Sequence, residues 1–165
     1  MSSTDLTDPI AAARDPRAFR ELGHAVVDLL ADHLERAGAA ALPPLPPRPP
    51  EAQAADWALS GPGGDDPLEL LRRYVEASHH LHHPRSVGHQ VPPPLPLAAL
   101  ADAVAALLNN SAAIYEMGPV ATMMEREVVA WMARALGLDH GAGGVLTSGG
   151  SLGILRALVA ARRVM

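Results

Sequence analysis

A turn of five small residues, Thr147-Ser148-Gly149-Gly150-Ser151, can bind a phosphate group. Glycines let the backbone approach a ligand closely, and the free amides at the start of a helix point toward an anion. The hydroxyls of Ser148 and Ser151 can add donors to phosphate oxygens. The turn has neither the lysine of a Walker A loop nor the Gly-x-Gly-x-x-Gly spacing of a dinucleotide site. Two alternatives therefore stay open: a phosphate site, or a tight strand-to-helix turn capped by Ser151.

A run of histidines is the second candidate for chemistry. The run consists of His79, His80, His82 and His83, with His89 beyond. Histidines three or four residues apart on a helix can share a metal ion, and His79 has that spacing from His82 and His83. No carboxylate completes a motif such as His-Glu-x-x-His. The pattern favours a helix end with some histidines solvated and others packed, so we predict no metal site.

The third candidate is the stretch from Tyr115 to Pro119, which joins two predicted helices. A loop that enters a helix at Pro119 can place Tyr115 and Glu116 in a cleft. The alternative is that Tyr115 packs among other side chains while Glu116 faces solvent, and the residue types alone favour it.

Helices are the elements that must position these groups. Asp15 can cap a first helix at Pro16, apolar residues recur at helical spacing, and Gly38 is a natural stop. A connector from Leu42 to Pro50 contains six prolines and predicts an extended, polyproline-like segment. Later helices are predicted from Asp66-Pro67 onward, over Leu97 to about Ala112, over Pro119 to Gly137, and over Leu152 to Val164.

A short apolar run, Val145-Leu146-Thr147, is the one predicted strand. A parallel strand needs neighbours in a sheet, because it cannot satisfy its own backbone groups. The sequence therefore predicts a mostly α chain that ends just as an α/β domain begins.

Composition narrows the class of protein. The 165 residues carry a net charge of −5, and 48% of them are hydrophobic, which predicts a globular chain with no nucleic-acid partner. Cysteine is absent, so disulfides and thiolate chemistry are excluded. The longest apolar stretch, Leu95 to Leu108, is too short to span a bilayer, and no secretory signal is visible. We expect a cytoplasmic protein with no membrane partner.

Taken in order, four segments resemble the group II pyridoxal-phosphate-dependent decarboxylases, which include aromatic-amino-acid, histidine and glutamate decarboxylases. The resemblance covers roughly residues 67–165, and the first helix is loosely similar to the N-terminal arm of that family. The matching segments run from His83 to Gln90, from Tyr115 to Thr122, from Glu125 to Leu138, and from Gly144 to Arg162.

The resemblance implies a fold type I architecture and an obligate homodimer with active sites at the subunit interface. Residues 1–90 would be the helical N-terminal arm with its proline-rich connectors, and residues 91–165 the start of the large pyridoxal-phosphate domain. It also implies the roles of single residues. The cofactor phosphate would be held by Ser148, Gly149, Gly150 and Ser151, and the amino-acid substrate would lie near His89, Gln90 and Tyr115.

Lysine is absent, because all 13 basic residues are arginine. In the family, a lysine carries the cofactor and an acidic residue pairs with its ring nitrogen, both well beyond the phosphate turn. We therefore assign no catalytic residue and expect a truncated chain that is inactive alone. The alternative is a non-catalytic helical module that pairs with a full-length homologue or a split partner chain.

Overall fold

The computed structural model describes residues 13–45, 47–57, 66–88 and 90–164. The chain forms two compact units, Met1–Pro94 and Leu95–Met165. Regular secondary structure in the described ranges is helical. The elements are α1 (Pro16–Gly38), α2 (Pro50–Asp56), α3 (Pro67–Ala77), α4 (Pro96–Leu108), a 3₁₀-helix (Tyr115–Met117), α5 (Pro119–Ala135) and α6 (Gly150–Val164).

Local capping signals explain where these helices begin. The Asp15 carboxylate accepts a hydrogen bond from the Arg17 amide at 3.0 Å, at the start of α1. Asp66 accepts one from the Leu68 amide at 3.4 Å, at the start of α3. Proline occupies the first turn of all five helices from α1 to α5, where its missing N–H costs no hydrogen bond. The predicted starts of α1, α3 and α5 are confirmed.

In the unit Met1–Pro94, α1 packs against α3, and Leu29 and Ala37 of α1 are buried. The short helix α2 follows the proline connector and was not predicted. Trp57 holds it in place: its indole N–H donates to Gln53 at 3.0 Å, and its ring meets Tyr74 edge-on at 6.2 Å. The guanidinium of Arg73 lies 5.3 Å from the centre of the same ring, a favourable cation–π arrangement.

In the unit Leu95–Met165, the loop between α4 and α5 is tightly built. Asn109 takes the left-handed conformation (φ 46°) and ends α4 there, earlier than the predicted Ala112. Gly118 is buried, and its carbonyl accepts hydrogen bonds from the amide and the hydroxyl of Thr122, at 3.0 and 2.8 Å. A side chain at Gly118 would meet the carbonyl oxygen of Ser111 at 2.6 Å, so only glycine fits this loop.

The predicted strand over 145–147 forms no ladder in the described part of the chain. The reason is physical: a ladder needs a neighbouring strand, and the described residues supply none. The Leu146 amide instead donates to the carboxylate of Glu125 on α5. The prediction of a mostly helical chain is confirmed.

Much of the apolar surface of the second unit is exposed. Ala133 is its one buried apolar residue among those described. Within this unit, α4 and α6 contact no other described helix, and their apolar side chains face solvent, for example Leu97 (77% exposed), Leu107 (68%) and Ile154 (66%). None of the described helices is long and apolar enough to cross a membrane.

Candidate functional site

One face of α5 holds the segment that leads into the small-residue turn. Glu125 and Val129 lie one helical turn apart and therefore share a face. The Leu146 amide donates to Oε1 of Glu125 at 2.7 Å. A Cβ added at Gly144 would lie 3.1 Å from Cγ1 of Val129, so the backbone approaches α5 closely there. These two contacts fix residues 144–146 against α5.

The turn itself is closed by hydrogen bonds to a single carbonyl. The oxygen of Gly149 accepts from the Thr147 hydroxyl and from the Gly153 amide, both at 3.1 Å. The second bond is the first turn of α6, which begins at Gly150. The Thr147 hydroxyl is thus used inside the turn, and Ser148 and Ser151 carry the hydroxyls that face solvent.

The geometry of the turn fits a phosphate group. Ser148, Gly149, Gly150 and Ser151 are all exposed, and a Cβ built on either glycine would meet nothing within 4 Å. The first amides of a helix lack intrahelical acceptors, and the helix dipole favours an anion beside them. The first turn of α6 contains no acidic residue that would compete for this position. Backbone amides and two hydroxyls can therefore converge on an anion here.

The residues predicted near the substrate are distributed over both units. Tyr115 lies exposed in the 3₁₀-helix of the second unit, where its carbonyl accepts a hydrogen bond from the Gly118 amide at 3.2 Å. Gln90 belongs to the first unit and is exposed, with a left-handed backbone (φ 54°) that is uncommon for glutamine. His89 lies outside the described residues. The four turn residues, 148–151, therefore lie together at the start of α6. Tyr115 belongs to the same unit, Leu95–Met165.

Two histidines of the run, His80 and His83, are buried in the first unit. His80 is only 2% exposed, and its Nδ1 lies 2.7 Å from the carbonyl oxygen of Pro43. A carbonyl can only accept, so Nδ1 carries the proton and donates. The His80 amide donates to the Pro44 carbonyl at 2.9 Å, and the ring meets His33 of α1 edge-on at 5.0 Å. His80 therefore ties the proline connector to α1.

The other histidines each make separate local contacts. His83 is also 2% exposed, and its Nδ1 accepts from the Arg85 amide at 3.0 Å. His82 donates through Nε2 to the Pro94 carbonyl at 2.9 Å, and His79 lies 3.0 Å from the Ser86 hydroxyl. Among the described residues, no group of three or more histidine or acidic side chains is arranged to hold a metal ion. These contacts give the run a packing role.

Burial lowers the pKa of His33 below its usual value of 6.5, and His80, His82 and Arg36 lower it further. The folded unit therefore favours the neutral ring. Since the unfolded chain takes up a proton more readily, the stability contributed by this group is present above pH 6.5 and is lost as the pH falls below it.

The contact of Glu125 with Leu146, beside the small-residue turn, was not predicted from the sequence. Glu125 lies 21 residues before Leu146, a separation at which spacing predicts no contact. The only signal in the sequence is a carboxylate on the face of α5 that also carries Thr122 and Val129.

Comparison with known proteins identifies the family to which this protein belongs. A helical chain with an open turn of small residues at the start of its last helix is compatible with several phosphate-dependent folds. The pyridoxal-dependent decarboxylase conserved domain matches residues 66–165. The protein therefore belongs to the pyridoxal-dependent decarboxylase family, as the four segments predicted, and the cofactor of that family is pyridoxal 5'-phosphate.

Curated relatives carry three different decarboxylase names. The tyrosine decarboxylase of Oryza sativa subsp. japonica is 32% identical over 172 residues, covering 98% of this chain and 32% of the relative. The aromatic-L-amino-acid decarboxylase of Bacillus atrophaeus is 29% identical over 149 residues, covering 88% of this chain and 31% of the relative. The L-2,4-diaminobutyrate decarboxylase of Acinetobacter baumannii is 27% identical over 93 residues, covering 56% and 18%.

Solved structures agree with this assignment. The crystal structure of mouse CSAD in apo form superposes with a TM-score of 0.79 at 28% identity, covering 90% of this chain and 32% of that one. A second crystal structure of mouse CSAD gives a TM-score of 0.75 at 28% identity, with coverages of 87% and 31%. The chain thus spans about a third or less of the length of the proteins it matches.

Proposed function

We propose that this chain supplies the phosphate end of the cofactor site in a pyridoxal-phosphate-dependent amino-acid decarboxylase. The observation that carries the proposal is the open turn at the start of α6, within the matched domain. When bound, pyridoxal phosphate supplies an electron sink for the electron pair that remains when an α-carboxylate leaves as carbon dioxide.

The residues of the chain have distinct roles in this proposal. The amides of Gly150 and Ser151 and the hydroxyls of Ser148 and Ser151 bind the phosphate, while Gly149 keeps the approach open. The amide N–H groups at a helix start point along the helix axis, so they would orient the phosphate end of the cofactor.

The amino-acid substrate is proposed to lie near His89, Gln90 and Tyr115, whose polar groups would bind and orient it. Residues 1–90 would form the arm, and residues 91–165 the start of the cofactor domain. The intact enzyme would be a homodimer. The names of the relatives cover aromatic and diamino substrates, so the proposal extends to L-amino acids as a class.

Replacing Ser148 or Ser151 with alanine is expected to weaken pyridoxal-phosphate binding roughly five- to tenfold, because each hydroxyl donates to a charged oxygen. Equilibrium dialysis of the 165-residue chain against pyridoxal phosphate and against pyridoxal measures the effect of the phosphate directly. Affinity for pyridoxal should not change. Ser78→Ala, in the other unit, is the matched control. Equal affinity of the wild-type chain for both compounds would refute the phosphate site.

The 165 residues alone are expected to release no carbon dioxide from any L-amino acid, because no lysine is present to carry the cofactor. The assay supplies pyridoxal phosphate with carboxyl-labelled amino acids and counts released label. Release above the protein-free blank would contradict this part of the proposal and require another group to carry the cofactor.

The second candidate function is a non-catalytic helical module that pairs with a full-length homologue or a split partner chain. The exposed apolar side chains of α4 and α6 favour it, because surfaces of this kind usually bind other protein surfaces. A lysine-bearing companion that restores carbon dioxide release would support a split decarboxylase. Association with an intact homologue without any change in activity would support the interaction module.

A further inference from the structure

The carboxylate of Glu125 accepts a hydrogen bond from a backbone amide on a distant segment. The 2.7 Å distance from Leu146 N to Oε1 is short, as is typical when the acceptor carries a charge. A glutamate on a helix surface ordinarily faces water or pairs within its own helix. Here it takes the acceptor position that a neighbouring strand would supply in a sheet.

This contact lies directly beside the phosphate turn. Only Thr147 separates Leu146 from Ser148, and the Thr147 hydroxyl bonds in turn to the Gly149 carbonyl. The approach of Gly144 to Val129 fixes the other side of Leu146. If Leu146 moves, Thr147 therefore moves with it, and so do the residues whose amides begin α6.

We propose that Glu125 is a positioning residue for the phosphate-binding turn. By holding the Leu146 amide, its carboxylate sets where residues 148–151 present their donors. The identity of the ligand rests on the proposed function, whereas the hydrogen bond from Leu146 to Glu125 does not depend on that function.

The test compares Glu125→Ala, which removes the acceptor, with Glu125→Gln, which keeps an acceptor oxygen without the charge. Glu127→Ala is the matched control, because Glu127 is an exposed glutamate on the same helix. Hydrogen exchange of the peptide containing Leu146 is expected to quicken roughly tenfold in Glu125→Ala and less in Glu125→Gln. Exchange in α5 should be unchanged.

The second readout is the ratio of the dissociation constants for pyridoxal phosphate and pyridoxal. Glu125→Ala should lower the preference for pyridoxal phosphate over pyridoxal several-fold. Glu125→Gln should keep most of this preference, and Glu127→Ala should leave it unchanged. A merely structural contact would not change this ratio.

The outcomes separate the two proposals. A wild-type chain without preference for the phosphate removes the proposed function and the positioning role together. A wild-type preference that survives Glu125→Ala overturns the positioning role alone. If Glu125→Ala fails to unfold cooperatively, Glu125→Gln decides: a small loss of the preference together with quicker Leu146 exchange supports the role, and any other result overturns it.

Discussion

Gly118→Ala is expected to destabilise the unit Leu95–Met165 by about 2 kcal/mol, a typical cost of overpacking. The added Cβ would lie 2.6 Å from the carbonyl oxygen of Ser111 and 3.1 Å from its carbonyl carbon. Both are backbone atoms that cannot rotate away, so the loop between α4 and α5 must open. Hydrogen exchange of peptides from residues 109–122 should quicken, and the thermal unfolding midpoint of the unit should fall.

Gly143→Ala is the matched control, since a Cβ there meets nothing within 4 Å and the unit is the same. It should change stability by less than about 0.5 kcal/mol. Equal effects of the two substitutions would show that the approach of Ser111 to Gly118 is not a constraint on the folded loop.

Helix starts could be predicted because their causes are local. An aspartate followed by proline, as at Asp15 and Asp66, supplies a cap and a suitable first residue without reference to the rest of the chain. The start of α2 lacks this signal, because Pro49 stands before Pro50 and no side chain caps the helix, and the surrounding prolines indicated an extended connector. The end of α4 was misplaced because Asn109 stops it through a left-handed cap.

The segment 145–147 could not be predicted from local sequence alone. Residue types at 145–147 predict a strand, yet a ladder depends on partners elsewhere in the chain. The turn from Ser148 to Ser151 could be recognised because its residues are contiguous. Glu125 could not, because its role depends on a contact across 21 residues of chain. The histidine run was predicted to divide into packed and solvated members, but its link to the proline connector depends on tertiary packing.

His80→Ala is expected to destabilise the unit Met1–Pro94 by about 2–4 kcal/mol, through the cavity it leaves and the buried hydrogen bond it removes. The ring is 2% exposed, donates to Pro43 at 2.7 Å and meets His33 edge-on. Its loss should release the connector from α1, which hydrogen exchange in both segments would report. Measurements at about pH 8 keep His33 neutral, since burial lowers its pKa below 6.5.

His24→Ala is the matched control, because His24 lies exposed on the same helix as His33 and should cost little. His80→Asn should fall between the two, since its side-chain amide can donate toward Pro43 but cannot refill the ring volume. If His80→Ala costs no more than His24→Ala, the connector is held by backbone contacts such as the bond from the His80 amide to Pro44. A large cost with partial recovery by asparagine would instead make the buried imidazole the link between α1 and the connector.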